Sequence, residues 1–224
     1  MMTLKENVQR VSSQVAQACQ AASRSETSVK IIAVTKYVDS SITKKLIDAG
    51  MTDLGENRVD KFLEKKAELI NEKVTWHFIG SLQRRKVKDV INEIDYFHAL
   101  DSISLATEIE KRALKPVKCF LQVNISREGS KHGFLVEELA EVLPQLAKLE
   151  KITIVGLMTM APFEAEKETI QTIFEETETL RKTIQSQAWP NMPMTELSMG
   201  MSQDYPLAIA AGATYVRIGT AFFK

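Results

Sequence analysis

From residue 30 onward the chain alternates short apolar runs with longer segments of helical spacing, and this beat sharply limits the folds open to it. Runs at 31–34, 53–55, 74–79, 94–98, 117–123, 152–155, 196–197 and 215–218 read as strands. Between them, segments at 39–49, 57–70, from 83, 102–114, 136–149, 167–187 and 205–211 read as helices, with Pro144 expected to bend or interrupt its own. About eight strands in strict alternation with helices predict an α/β fold, a single closed (β/α)8 TIM-type barrel occupying 1–224 as one domain. An extra N-terminal helix at 4–22 carries a narrow apolar stripe of Leu4, Val8, Val11, Val15, Ala18 and Cys19, and is expected to pack outside the barrel. The alternative is an open doubly wound sheet. No GxGxxG follows the first strand, which weakens its dinucleotide-binding version.

A chain of 224 residues with 44% hydrophobic composition can bury one sizeable core. Lys+Arg and Asp+Glu both number 29, a balance that argues against a broad nucleic-acid or membrane footprint. No apolar run approaches a membrane span, and the polar N-terminus lacks a signal-peptide core. Cys19 and Cys119 have neither a CxxC partner nor a histidine at ligand spacing, so reduced thiols and no metal site are expected. The expected location is the cytoplasm.

In a barrel, the residues that follow each strand share one mouth. Here they include Lys36, Asn57, residues 77–80, Asn124, Met158, and the stretches 198–202 and 217–220. Lys36 directly follows the first strand, where an ammonium that loses hydration becomes a neutral amine able to attack a carbonyl. The plainer reading is a lysine that snorkels to solvent. The loops after strands seven and eight often hold phosphate in barrels, and here they offer Ser198, Gly200, Gly219 and Thr220, with a helix start after Ser202. Ordinary turn chemistry is the alternative for those glycines and hydroxyls. A reactive lysine facing a phosphate cradle suits a phosphorylated aldehyde or ketone. No carboxylate pair and no Ser-His-Asp motif is visible at the mouth, so acid–base hydrolysis is not the first reading. His77 and His98 read as satisfied core histidines, and the basic stretch 84–88 as a solvated helix face.

Seven ordered motifs add a resemblance: AVTK at 33–36, GEN at 55–57, HFIGSLQ at 77–83, VNISREGSKHG at 123–133, GLMTM at 156–160, LSMGMSQD at 197–204 and VRIGTAFF at 216–223. With them the chain resembles, end to end, the pyridoxal phosphate homeostasis proteins, which share the barrel of the alanine racemase N-terminal domain. The resemblance implies that Lys36 holds pyridoxal 5'-phosphate (PLP) as a Schiff base, with Asn57 beside it. It further implies that Ser198, Gly200, Gly219 and Thr220 hold the phosphate and that Arg217 faces the pyridine nitrogen. A guanidinium is permanently charged and accepts no proton, so the ring would be a weaker electron sink than one paired with a carboxylate. The implied function is a carrier or regulator of intracellular PLP with no catalytic residues, a monomer that exchanges PLP with apo-enzymes requiring it. A PLP-dependent racemase is the alternative, but it would need a second acid–base group from a further β-domain, for which residue 224 leaves no room. An aldolase-type lyase would need a general acid or base at the mouth, where no carboxylate presents itself. Two departures from the family pattern stand out: Arg84-Arg85-Lys86 where an asparagine usually precedes the lysine, and Phe223-Lys224 where a glycine and a basic residue usually close the chain.

Overall fold

The computed structural model describes residues 3–127 and 132–223. Residues 128–131 of the VNISREGSKHG motif and Lys224 lie outside them. Eight parallel strands close into a barrel in sequence order: β1 (Lys30–Val34), β2 (Asp53–Glu56), β3 (Thr75–Phe78), β4 (Tyr96–Leu100), β5 (Val117–Gln122), β6 (Ile152–Met158), β7 (Glu196–Met201) and β8 (Tyr215–Ile218). Closure pairs β8 with β1, setting Lys30 opposite Tyr215, Ile32 opposite Arg217 and Ala33 opposite Ile218. The (β/α)8 barrel expected from the alternation is therefore the observed fold.

Around it run α1 (Leu4–Ala21), α2 (Ser40–Asp48), α3 (Val59–Glu68), α4 (Val87–Val90), α5 (Ile103–Arg112), α6 (Leu139–Leu146), α7 (Lys167–Ser186), α8 (Tyr205–Ala210) and α9 (Thr220–Phe223). Capping chemistry sets several of their starts. Asp39 accepts from the Ile42 amide before α2, and Ser102 from the Leu105 amide before α5. Among the described residues, no helix is long and apolar enough to cross a membrane.

Several boundaries differ from the sequence expectation, β4 among them, which spans Tyr96–Leu100 where 94–98 was expected. Strands β6 and β7 run on to Met158 and Met201, since their last residues pair with neighbouring strands. A 3-10 turn at Val136–Glu138 precedes α6. Pro144 sits inside α6 without ending it, because burial of Leu139, Val142, Leu143 and Leu146 holds the helix against the barrel. Residues 84–90 form a 3-10 turn and α4, with Val87 and Val90 buried and Arg84, Arg85 and Lys88 exposed, the solvated face that was expected.

Helix α1 packs outside the barrel, opened by a capping box between Thr3 and Glu6. Its buried Asn7 donates to the Phe222 carbonyl at 3.0 Å, and Arg10 donates to the Ala221 carbonyl at 2.7 Å. The extra helix thus ties down α9, the turn that follows β8 at the barrel mouth.

Candidate functional site

A cavity of about 300 Å³ opens beside the end of β1. Lys36, Tyr37, Val34, Gly219, Thr220 and Phe223 line it. Three of the residues singled out in the sequence therefore meet in one space, brought together by β1–β8 closure. Lys36 is exposed, with its Nζ 4.8 Å from the centroid of the Tyr37 ring. It stands at the rim, rather than in the dehydrated position that a strand end suggested.

The backbone that presents Lys36 is held from below. Thr35 is fully buried, and its hydroxyl donates to Glu56 Oε1 at 2.6 Å. Lys65 of α3 donates to the Thr35 carbonyl at 2.6 Å and pairs with Glu56.

Opposite Lys36, the Gly219 amide donates to the Ser202 hydroxyl at 3.3 Å. A Cβ on Gly219 would come within 3.3 Å of Val34 Cβ, so a side chain there would press on the wall of the cavity. Thr220 is exposed and opens α9. Gly200 adopts φ +90°, and a Cβ there would approach Ala208 Cβ to 2.6 Å, so only glycine lets β7 turn into α8 this closely.

Asn57 is half-buried after β2 and lines a separate cavity of about 360 Å³ together with Phe78, Leu82 and Gln83, which shares no lining residue with the cavity at Lys36. Arg217 lies two residues before Gly219 on β8, inside the barrel. It donates to Ser198 Oγ at 2.7 Å and to the Thr159 carbonyl at 3.1 Å. Burial pulls its pKa down to about 10, against the opposing charge of Asp204. Ser198 is also fully buried, and its hydroxyl contacts Arg217 and His98.

His77 and His98 are buried as expected for core histidines, yet they are linked. His98 Nδ1 is 2.8 Å from Ser198 Oγ, and His98 Nε2 is 2.9 Å from His77 Nδ1. His77 Nε2 is 3.0 Å from Asp53 Oδ1. Burial holds both imidazoles below their ordinary pKa, His98 well below, in spite of the Asp53 carboxylate beside His77. Asp53, Glu56 and Lys65 were not singled out from the sequence, and Ser202 was named only as the end of the mouth stretch 198–202. For Asp53 the available signal was the occurrence of polar residues at inward positions of consecutive strands, Asp53 on β2, His77 on β3 and His98 on β4. Among the described residues, no group of three or more His, Cys, Asp or Glu side chains is placed to hold a metal ion.

The geometry has close counterparts. Residues 4–224 match the family of the alanine racemase N-terminal domain. A pyridoxal phosphate homeostasis protein of Aquifex aeolicus (strain VF5) is 36% identical over 225 residues, covering 99% of this chain and 98% of the relative. One of Escherichia coli (strain K12) is 33% identical over 229 residues, covering 100% of this chain and 97% of the relative. PipY of Synechococcus elongatus PCC7942, solved with PLP bound, superposes with a TM-score of 0.87 at 34% identity, covering 99% of this chain and 100% of that one. An alanine racemase of Clostridium difficile 630 shares the fold at 16% identity and a TM-score of 0.76, with this chain spanning 56% of its length. A barrel with a lysine at the end of its first strand, matched over nearly its whole length by such relatives, belongs to the pyridoxal phosphate homeostasis protein family.

Proposed function

We propose that this protein binds PLP in the cavity between Lys36 and Gly219 and serves PLP homeostasis, without catalytic turnover. The observation that carries the reading is the meeting of Lys36, Gly219 and Thr220 in one cavity of about 300 Å³, a volume at the small end for small-molecule sites. Support comes from relatives named for PLP homeostasis and from the PLP-bound structure of PipY.

The residues present suit the group. When bound, PLP supplies an aldehyde that condenses with an amine, and a pyridine ring that draws electrons from what is attached to it. Lys36 provides the amine, mounted on a backbone that Lys65 and Thr35 hold in place. Gly219 leaves the Cβ space open next to Val34, while the Ser202 and Thr220 hydroxyls and the Gly200 turn furnish the phosphate side. Ser198, with its hydroxyl turned to Arg217 and His98, takes the part of orienting Arg217 instead of touching phosphate. Arg217, a permanent donor held by Ser198, is assigned to the ring nitrogen, and Asn57, which follows β2, to a place beside the cofactor. A group that does not accept a proton from the ring discourages carbanion chemistry, which favours holding the cofactor over transforming substrates with it. The proteins that exchange PLP with this one are apo-enzymes that require it.

The test is the visible spectrum of purified protein with added PLP, before and after borohydride, in wild type and Lys36→Ala. A band that borohydride bleaches, with a covalent adduct present in wild type and lacking in the variant, supports the reading. A reducible adduct that persists in Lys36→Ala overturns the assignment of Lys36. Turnover of alanine enantiomers by wild type would overturn the absence of catalysis.

A further inference from the structure

Five side chains from five strands meet inside the barrel in an unbroken series: Asp53, His77, His98, Ser198 and Arg217. The series starts at the first residue of β2, on the rim opposite the mouth, where the Asp53 side chain is 15% exposed. It ends at Arg217, two residues short of Gly219.

The chemistry of the two ends assigns every proton between them. A guanidinium can only donate, so Ser198 Oγ accepts from Arg217, which leaves the Ser198 proton free to go to His98 Nδ1. A neutral imidazole that accepts at one nitrogen donates at the other, so His98 Nε2 donates to His77 Nδ1. His77 Nε2 then donates to Asp53, and a carboxylate can only accept. The Asp53 carboxylate therefore fixes the direction through both neutral rings, and the Arg217 end agrees with it, so there is no conflict along the series.

The walls keep it dry and rigid. His98 stacks on Phe120 with ring centroids 4.3 Å apart, and His77 stacks on Tyr96 at 4.8 Å. Tyr215 packs against both imidazoles, with Lys30 over its outer face. The charged groups around the lower end are Lys30, which acts on Asp53 and His77, and Asp95, which acts on His77; Arg217 is the charge facing His98.

We propose that Asp53, His77, His98 and Ser198 form one oriented hydrogen-bonded line that positions Arg217 and couples the far rim of the barrel to the cavity. They are positioning residues, since none of them lines the cavity. The effect on PLP rests on the function proposed above; the line itself does not.

The test uses the full-length protein with nitrogen-labelled histidine, without and with PLP. Near pH 7, both His77 and His98 are expected to be neutral with the proton on Nε2. A proton on Nδ1 of either ring, or a charged ring, overturns the line. In Asp53→Ala the His98 Nδ1 resonance is expected to shift, and PLP affinity to fall about fivefold with a moved absorption maximum, the low end for coupling between remote sites. Asp53→Asn keeps a carbonyl acceptor and is expected to restore both readouts. An Asp53→Ala protein whose His98 resonance and PLP affinity match wild type overturns the coupling. If wild type takes up no PLP, the cofactor reading fails, while the nitrogen spectra still decide the line.

Discussion

Lys65 donates to the Thr35 carbonyl at 2.6 Å, so the peptide bond leading into Lys36 hangs from a lysine thirty residues further along the chain. The same ammonium pairs with Glu56, and the two side chains are 3% and 0% exposed. Removing one partner strands the other charge in the interior. Glu56→Gln should therefore lower stability by about 3–5 kcal/mol. Glu56→Gln combined with Lys65→Met should recover much of that loss, as a buried pair removed whole leaves no orphan charge. Urea unfolding midpoints of the two variants check this: a double variant less stable than the single one would contradict it.

Arg217 reaches Ser198 and the Thr159 carbonyl with two different nitrogens of one planar fork. A lysine has a single nitrogen and cannot span both acceptors in that geometry. Arg217→Lys should cost about 1.5–3 kcal/mol, the scale of a lost charged hydrogen bond. It should also move the absorption maximum of bound PLP. Denaturant titration and spectra recorded side by side test both expectations.

The buried imidazoles set a pH dependence of stability. Burial lowers the pKa of His77 and His98 in the folded protein, while in the unfolded chain each keeps its ordinary value near 6.5. Below that value the unfolded chain takes up protons that the folded one refuses. Stability from this source is thus complete above about pH 6.5 and falls as pH drops from there toward the lowered folded values. His98→Gln should be less stable at pH 7.5, yet lose less on acidification to pH 5.5. Equal slopes for variant and wild type would count against a neutral buried His98.

Gly156 on β6 has no room for a side chain, as a Cβ there would lie 1.7 Å from the Glu196 carbonyl oxygen of β7. Backbone must move to admit even a methyl group. Gly156→Ala should cost about 3 kcal/mol and lower Tm by about 6–12 °C in a chain of this size. A melting curve within a degree of wild type would show that the β6–β7 spacing gives way easily.

The period of the sequence was enough to specify the barrel, because each strand and helix carries its own local apolar spacing. It was also enough to name Lys36, Gly219 and Thr220, since in a barrel every residue just past a strand reaches one mouth, and β1–β8 closure makes those three neighbours. Only the tertiary structure decided what the interior polar groups do. Ser198 and His98 stand one hundred residues apart, and they meet across the barrel because closure of the eight strands turns both side chains into one interior. The same holds for Lys65, a helix residue that serves the strand-end backbone, and for Asp53 at the far rim. Local periodicity reports which face of an element is buried. Which buried polar group meets which is set by strand order and register, and these exist only once the barrel has closed.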